Sequence, residues 1–242
     1  MTDSNGGSKI RTEVPIATPR PAATVVLLRP GAGGPEVLMV QRHRSSSFMA
    51  DAYVFPGGRV EPEDGSGEAA FPVAAARELA EEAGLTIDAA TLVPFAHWIT
   101  PSAEGKRFDA RFYLAAAPVG QTARHDTVET VDHVWATPTD ILARYQRGEL
   151  KLPPPTIRNL EDVARHSTVE AALAWARGRI VTPILPKLVP LGDTLAIVLP
   201  WDPDYAALPG EGAVIDPSHQ TARPPSRFVL RDGRWWGPTS GV

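Results

Sequence analysis

The sequence predicts a mixed α/β chain, and three observations predict it. Several short β-rich runs recur along the first part of the chain, among them ATVVLLRP (Ala23 to Pro30) and RFDARFYLAAAP (Arg107 to Pro118). Between them lies a helical pattern, with apolar residues at Ala76, Leu79, Ala80 and Ala83, the i, i+3, i+4, i+7 spacing of one helix face. After Gly148 the texture changes, and nine prolines fall between Pro183 and Pro225, which disfavours long regular elements there.

The elements follow in order. Ala23 to Pro30 and Glu36 to Arg42 are two apolar runs split by the Gly-rich GAGGP, and they read as a hairpin. AYVFPGG (Ala52 to Gly58) reads as a strand ending in a Pro-Gly-Gly turn. The helix after it starts between Glu68 and Val73, because Pro72 is acceptable only in a first turn, and Gly84 sits where a left-handed cap belongs. Thr91 to Thr100, Arg107 to Pro118 and Thr130 to Ala136 read as further strands. Thr137, Pro138 and Asp140 make a helix start. Two short helices follow Gly148, the second opened by a capping box of Ser167 with Glu170 and closed by Gly178. TLAIVLP and RFVLRDGRWW read as late strands. The expected organisation is a disordered arm over residues 1–20, a core over 21–148 and an extension over 149–242 packed on that core.

Composition narrows the function classes. With 43% hydrophobic and 21% charged residues the chain reads as globular and soluble. Its formal net charge is −4, with no block of Lys and Arg to grip nucleic acid or an anionic membrane. It contains no cysteine, so thiolate nucleophiles, disulfides and Cys-based zinc sites are excluded, and a reducing compartment fits. No apolar run approaches the ~20 residues that span a bilayer, and the N-terminus lacks a signal-peptide core. The expected setting is cytoplasmic, with no nucleic-acid or membrane partner.

The stretch RELAEEAGL (Arg77 to Leu85) places Glu78, Glu81 and Glu82 on one side of a helix. Three carboxylates there repel one another, and water, a cationic side chain or a metal ion can offset the repulsion. Mg²⁺ takes oxygen ligands and commonly binds a few carboxylates together with substrate phosphates. Such ions activate water and stabilise a leaving oxygen. The three glutamates offer that platform, a backbone carbonyl at Gly57 or Gly58 adds a further oxygen, and Arg77, four residues before Glu81, is placed to orient the carboxylates. The basic QRHRSSS before the Pro-Gly-Gly strand makes Arg42 and Arg44 candidates for binding substrate phosphate. The six histidines show no metal-ligand spacing and read as surface or packing residues.

Taken together, GGRVEPED…ARELAEEAGL resembles the Nudix box, G-x5-E-x7-R-E-U-x-E-E-x-G-U, with U an aliphatic residue. Arg77, Glu78, Leu79, Glu81, Glu82, Gly84 and Leu85 match its second half, and Gly58 and Asp64 match its first, with Asp for Glu. Twelve residues separate Asp64 from Arg77 where the family pattern has seven. The resemblance implies a Nudix α/β/α sandwich with a mixed β-sheet, and metal-dependent hydrolysis of a nucleoside diphosphate linked to another group. It implies Mg²⁺ or Mn²⁺ as cofactor, Glu81 and Glu82 as metal ligands, and Glu78 as either a ligand or the general base. The family also places its base on a distant acid, and Glu129 and Asp132 are the candidates for that role.

The segment VQRHRSSSFMADAYVFPGGRVEPED, the lengthened box loop, LKLPPPTIRNLEDV and LPWDPDY are similar to the coenzyme A diphosphatase branch of that family. In the branch signature Asp51 stands where a glycine is usual, and Ser47 where a second arginine is usual. The branch implies coenzyme A or an acyl derivative as substrate, with 3′,5′-ADP and a phosphopantetheine as products. ADP-ribose, a dinucleotide cofactor or a nucleoside triphosphate is the enzymatic alternative, and a non-catalytic nucleotide sensor is the alternative outside enzymes. The extension is expected either to pack over the substrate cleft or to form a homodimer contact.

Overall fold

In the computed structural model the described residues are 16–45, 50–124, 130–212 and 226–237. The first of two sheets begins with β1 (Arg20–Gly31) and β2 (Gly34–Arg42), an antiparallel hairpin whose turn is the Gly-rich segment. Next come β3 (Tyr53–Val54), β4 (Gly57–Arg59), helix α1 (Ala70–Ala83), β5 (Val93–Ile99), β6 (Phe108–Ala116) and β7 (Thr130–Ala136). Helices α2 (Pro138–Gln146), α3 (Pro154–Val163) and α4 (Val169–Arg177) follow, then β8 (Pro183–Ile184). Among the described residues eight strands make this sheet, in the order β3-β2-β1-β6-β5-β8, with β4 paired to β1 and β7 to β2. It is mixed: β1 runs parallel to β6 and β5 parallel to β8, while the other pairings are antiparallel.

Strand alternation divides the core between two faces. Ala23, Val25 and Leu27 of β1 pack with Leu38, Tyr113 and Ala115 against Phe71, Ala74, Ala75, Leu79 and Ala83 of α1. Val26 and Leu28 take the other face, with Trp98, Phe112 and Leu114, under Ile141 and Tyr145 of α2, Ile157 and Leu160 of α3, and Ala172 and Ala176 of α4. Helices therefore cover both faces of a mixed sheet, the expected α/β/α sandwich. The remaining strands β9 (Lys187–Leu191), β10 (Thr194–Val198), β11 (Arg227–Arg231) and β12 (Arg234–Trp236) form a separate antiparallel sheet.

Several local expectations hold in detail. Gly84 closes α1 at φ 64°, and Pro72 lies in its first turn. The Thr137 hydroxyl caps α2 by accepting from the Asp140 amide, 3.1 Å away.

Others are corrected. The Pro-Gly-Gly segment does not end a strand in a turn: Gly57 and Gly58 continue into β4 and pair with Thr24 and Ala23. The buried face of α1 is rotated from the expected stripe, since Ala80 is exposed while Phe71, Ala74 and Ala75 are buried. A helix with alanine on several sides carries little information about its own phase, and the one large side chain of the first turn, Phe71, decides it. The cap of α4 is Thr168 rather than Ser167, and its hydroxyl accepts from the Ala171 amide. Strands β8 and β9 lie in the stretch where prolines obscured the pattern. At the N-terminus, the carbonyl of Ala17 accepts from Arg107 Nη1 at 2.8 Å and β1 has begun by Arg20, both inside the expected arm.

Candidate active site

The site is built where β4 crosses the carboxylate side of α1. A Cβ added at Gly58 would lie 2.4 Å from Glu78 Oε1, and one at Gly57 would lie 2.4 Å from the Ala23 carbonyl. Only glycine lets this strand pass between β1 and the helix. The close approach puts the Gly57 amide 2.9 Å from Glu82 Oε2, to which it donates. Glu82 is thereby held, buried, at the helix–strand seam.

Arg77 is the hub of the remaining charges. Its Nε and Nη2 donate to the two carboxylate oxygens of Asp64, each at 2.9 Å, a bidentate pair. Its Nη1 donates to Glu78 Oε1 and to Glu81 Oε2, also at 2.9 Å, and Nη2 donates to the Arg59 carbonyl. The Asp64 side chain is 2% exposed and also accepts from the Glu61 amide at 2.8 Å. The Arg77 guanidinium, aided by that backbone bond, holds the Asp64 carboxyl below its usual range despite its burial. In return the Asp64 carboxylate, and after it Glu78, raises the Arg77 pKa above its ordinary value. The long loop between Asp64 and Arg77 does not prevent the contact, because residues 67–69 coil into a short 3₁₀ turn that leads directly into α1.

Beside this cluster lies a cleft of about 590 Å³. Its floor is one face of the large sheet. Ala22 and Thr24 of β1, Ala110 and Phe112 of β6, and Trp98 of β5 line it, and register pairs them across the strands. Glu78, Glu81, Arg77 and Gly58 line one part. Cations Arg20, Arg42, Arg59 and Lys106 line it as well, as does Glu104. An apolar wall comes from Pro153–Pro155 at the start of α3, Ile197 of β10 and Trp235 of β12. Two buried donors on the lining, Arg42 Nε and Trp98 Nε1, have no hydrogen-bond partner among the described residues.

The structure thus gathers Arg77, Glu78, Glu81, Glu82, Gly58 and Arg42 at one place, and it separates others from them. Arg44 is 87% exposed, donates to Asp51 at 3.1 Å and is not on the lining. Asp132 also lies off the lining: its carboxylate accepts from the Tyr53 hydroxyl at 2.9 Å and from the His133 amide. Burial and that carboxylate push the Tyr53 phenol up to about 12. Glu129 and Ser47 lie outside the described residues. Asp51, where the signature has glycine, adopts φ 61°, the left-handed backbone that favours glycine. Glu104, Arg20, Lys106, Trp98, Ile197 and Trp235 were not singled out by sequence. They reach the cleft through strand register and chain return, and local spacing carries no signal for either.

The donor set suits a hard divalent cation in kind and in charge. Three carboxylates, Asp64, Glu78 and Glu81, meet the single guanidinium of Arg77, and Glu82 lies on the same helix at the Gly57 amide. Among the described residues no three His, Cys, Asp or Glu side chains already converge as a metal site. The reason is visible in their partners: Glu78 and Glu81 meet at Arg77 Nη1, while Glu82 turns to the Gly57 amide. No helix among the described residues is long and apolar enough to cross a membrane.

Comparison with known proteins agrees with this geometry. The NUDIX domain family model matches residues 18–155. A putative nudix hydrolase 7 of Caenorhabditis elegans is 26% identical, over 66% of this chain and 65% of that protein. The acyl-coenzyme A diphosphatase NUDT19 of Xenopus laevis is 20% identical, over 83% of this chain and 79% of that protein. Its human counterpart is 26% identical over 45% of this chain and 30% of that protein. The crystal structure of a NUDIX hydrolase from Alicyclobacillus acidocaldarius superposes with a TM-score of 0.61 at 25% identity, over 66% of this chain and 97% of that one.

Proposed function

The chain belongs to the NUDIX family, and on that premise we propose that it hydrolyses a phosphoanhydride bond with the help of Mg²⁺ or Mn²⁺. The substrate is coenzyme A or an acyl-coenzyme A, and the products are 3′,5′-ADP and the corresponding phosphopantetheine. The observation that carries this reading is a cleft whose lining combines Glu78 and Glu81 of α1 with several cations and an apolar wall. A diphosphate flanked by a nucleotide and a long, mostly apolar arm matches that division. The acyl-coenzyme A diphosphatases among the relatives support the same substrate class.

Glu78, Glu81 and Glu82, with a carbonyl at Gly58, would hold the cation. When bound, it neutralises the diphosphate and makes the attacking water more acidic. Arg77 is fixed by Asp64 on one side, so its Nη1 orients Glu78 and Glu81 without swinging into the cleft. Arg42 offers its partnerless Nε–H to a phosphate oxygen, a charge-assisted bond that fixes the anion. Glu104, on the turn closed by its amide bonding to the Pro101 carbonyl, has no ion pair or side-chain hydrogen bond among the described residues. It is free to accept the proton of the attacking water.

The test is direct. Purified protein with Mg²⁺ or Mn²⁺ and coenzyme A should release 3′,5′-ADP, resolved by chromatography, and Glu82→Gln should abolish the release. Cleavage of ADP-ribose or a dinucleotide but not of coenzyme A would overturn the substrate and keep the reaction. No cleavage of any diphosphate in such a panel would overturn the reaction as well. Glu104→Gln should lower kcat by about 10²- to 10⁴-fold with little change in KM, the range for losing a general base.

A further inference from the structure

The apolar part of the cleft contains a polar feature that the phosphate chemistry leaves unused. Trp98 is 3% exposed, yet it lines the cleft, and its Nε1–H has no acceptor among the described residues. An indole N–H can only donate, and buried polar groups are almost always paired. Its surroundings decide the kind of acceptor that suits it. Trp98 belongs to the cluster that contains Phe112, Leu114 and Leu199, with Ile197 and Trp235 packed against it. Among such neighbours a charged oxygen would lose its hydration without compensation, so a neutral carbonyl is the fitting partner. The proline part of the facing wall has no N–H to offer. Pro154 and Pro155 occupy the first turn of α3, and Pro153 precedes them, so this helix start presents carbon where it would ordinarily present amides.

We propose that Trp98, with the wall made by Pro153–Pro155, Ile197 and Trp235, is the subsite for the non-nucleotide arm of the substrate. That arm is an apolar chain carrying a neutral amide carbonyl, which accepts from Trp98 Nε1. The second sheet supplies Ile197 and Trp235 and so contributes to specificity. Trp235 is fixed in place because its carbonyl accepts from the Tyr145 hydroxyl at 2.6 Å. The inference rests on the substrate reading above and names the part of the site that would distinguish a pantetheine arm from a second sugar or nucleotide.

Its test does not require turnover. In protein labelled with ¹⁵N at tryptophan, the Trp98 indole resonance is assigned by triple-resonance experiments, or by its disappearance in Trp98→Phe. Millimolar pantetheine, which carries the amides but no phosphate, should move that resonance downfield, and 3′,5′-ADP should not. Pantetheine that leaves the Trp98 resonance in place overturns the subsite even if coenzyme A is hydrolysed. A downfield shift supports it even if hydrolysis fails. In kinetics, Trp98→Phe keeps the ring and loses one neutral hydrogen bond, so kcat/KM for coenzyme A should fall by roughly 3- to 10-fold. Trp235→Ala, at a partly exposed position, should raise KM while kcat stays within about twofold, the signature of lost binding that is equal in ground and transition states. A fall in kcat with unchanged KM would place Trp235 elsewhere.

Discussion

Replacing Asp64 by Asn isolates the contact on which the charge cluster turns. The native carboxylate accepts from Arg77 Nε and Nη2 and from the Glu61 amide, all within 2.9 Å. Asparagine keeps one oxygen and turns an NH₂ toward a guanidinium that can only donate. Breaking a fully buried ion pair costs about 3–5 kcal/mol. The Asp64 side chain is 2% exposed but that of Arg77 is 27% exposed, so water recovers part of the loss and the lower end, about 3 kcal/mol, applies. At roughly 2–4 °C per kcal/mol for a chain of this size, Tm should drop by about 6–12 °C near neutral pH. The pH dependence has a definite sign. The Asp64 pKa is lowered in the folded state, so its contribution is complete above the unfolded carboxylate value of about 3.9 and is lost as pH falls through the folded value. The Tm gap between wild type and Asp64→Asn should therefore be constant above about pH 5 and close below it. Scanning calorimetry from acid to neutral pH measures both. A gap under about 2 °C at neutral pH, or one that widens on acidification, would refute the reasoning.

Further outcomes follow from the same cluster and cleft. Gly58→Ala places a Cβ 2.4 Å from Glu78 Oε1, so Glu78 must move; turnover should fall at least ~10²-fold while circular dichroism stays native, as a shift of about 1 Å at a catalytic group does. Glu82→Gln keeps an oxygen for the Gly57 amide but removes a charge, so Mn²⁺ binding followed by electron paramagnetic resonance should weaken while Tm changes by no more than a few degrees. Arg42→Ala should raise KM by roughly 10-fold or more through loss of a charge-assisted bond, whereas Arg44→Ala, at an exposed side chain paired with Asp51, should leave kcat and KM within about twofold. Equal effects at the two arginines would show that the cleft assigned to phosphate binding is the wrong one.

What could be read from the chain without coordinates was local. The glutamates of α1, its glycine cap and the Thr137 cap are each set by immediate chain neighbours, and propensity and spacing determine them. The hairpin of β1 and β2 is equally local. What escaped was fixed by distant partners. Gly57 and Gly58 look like a turn until β1 is seen to claim them as a strand. On α1 the stripe residues Leu79 and Ala83 are buried but Ala80 is exposed, because alanine fits either face. Asp64 sits too far along the chain from Arg77 for a spacing rule to pair them, and a short 3₁₀ turn folds the difference away. The cleft floor depends on β6 lying between β1 and β5 in a register that brings Trp98 and Ala110 together, which no window of sequence contains. Its wall is returned from β10 and β12, nearly a hundred residues or more beyond Trp98.

The distribution of charge explains how the glutamates can coexist before any cation arrives. Arg77 cannot neutralise all of them, since one guanidinium meets three carboxylates, and two of its donors are committed to Asp64. Glu82 is satisfied separately by the Gly57 amide, which removes it from the competition. That leaves Glu78 and Glu81 sharing a single nitrogen, Nη1, on the side that faces the cleft. The shared nitrogen is the weakest link of the cluster, because each carboxylate holds only part of one positive charge there. A divalent cation offers these two more charge than Arg77 does and competes with it for both carboxylates. Asp64 makes that exchange cheap: it keeps the arginine paired and in place after Glu78 and Glu81 have let go, so the cluster can take up a cation without leaving a partly buried guanidinium unpaired.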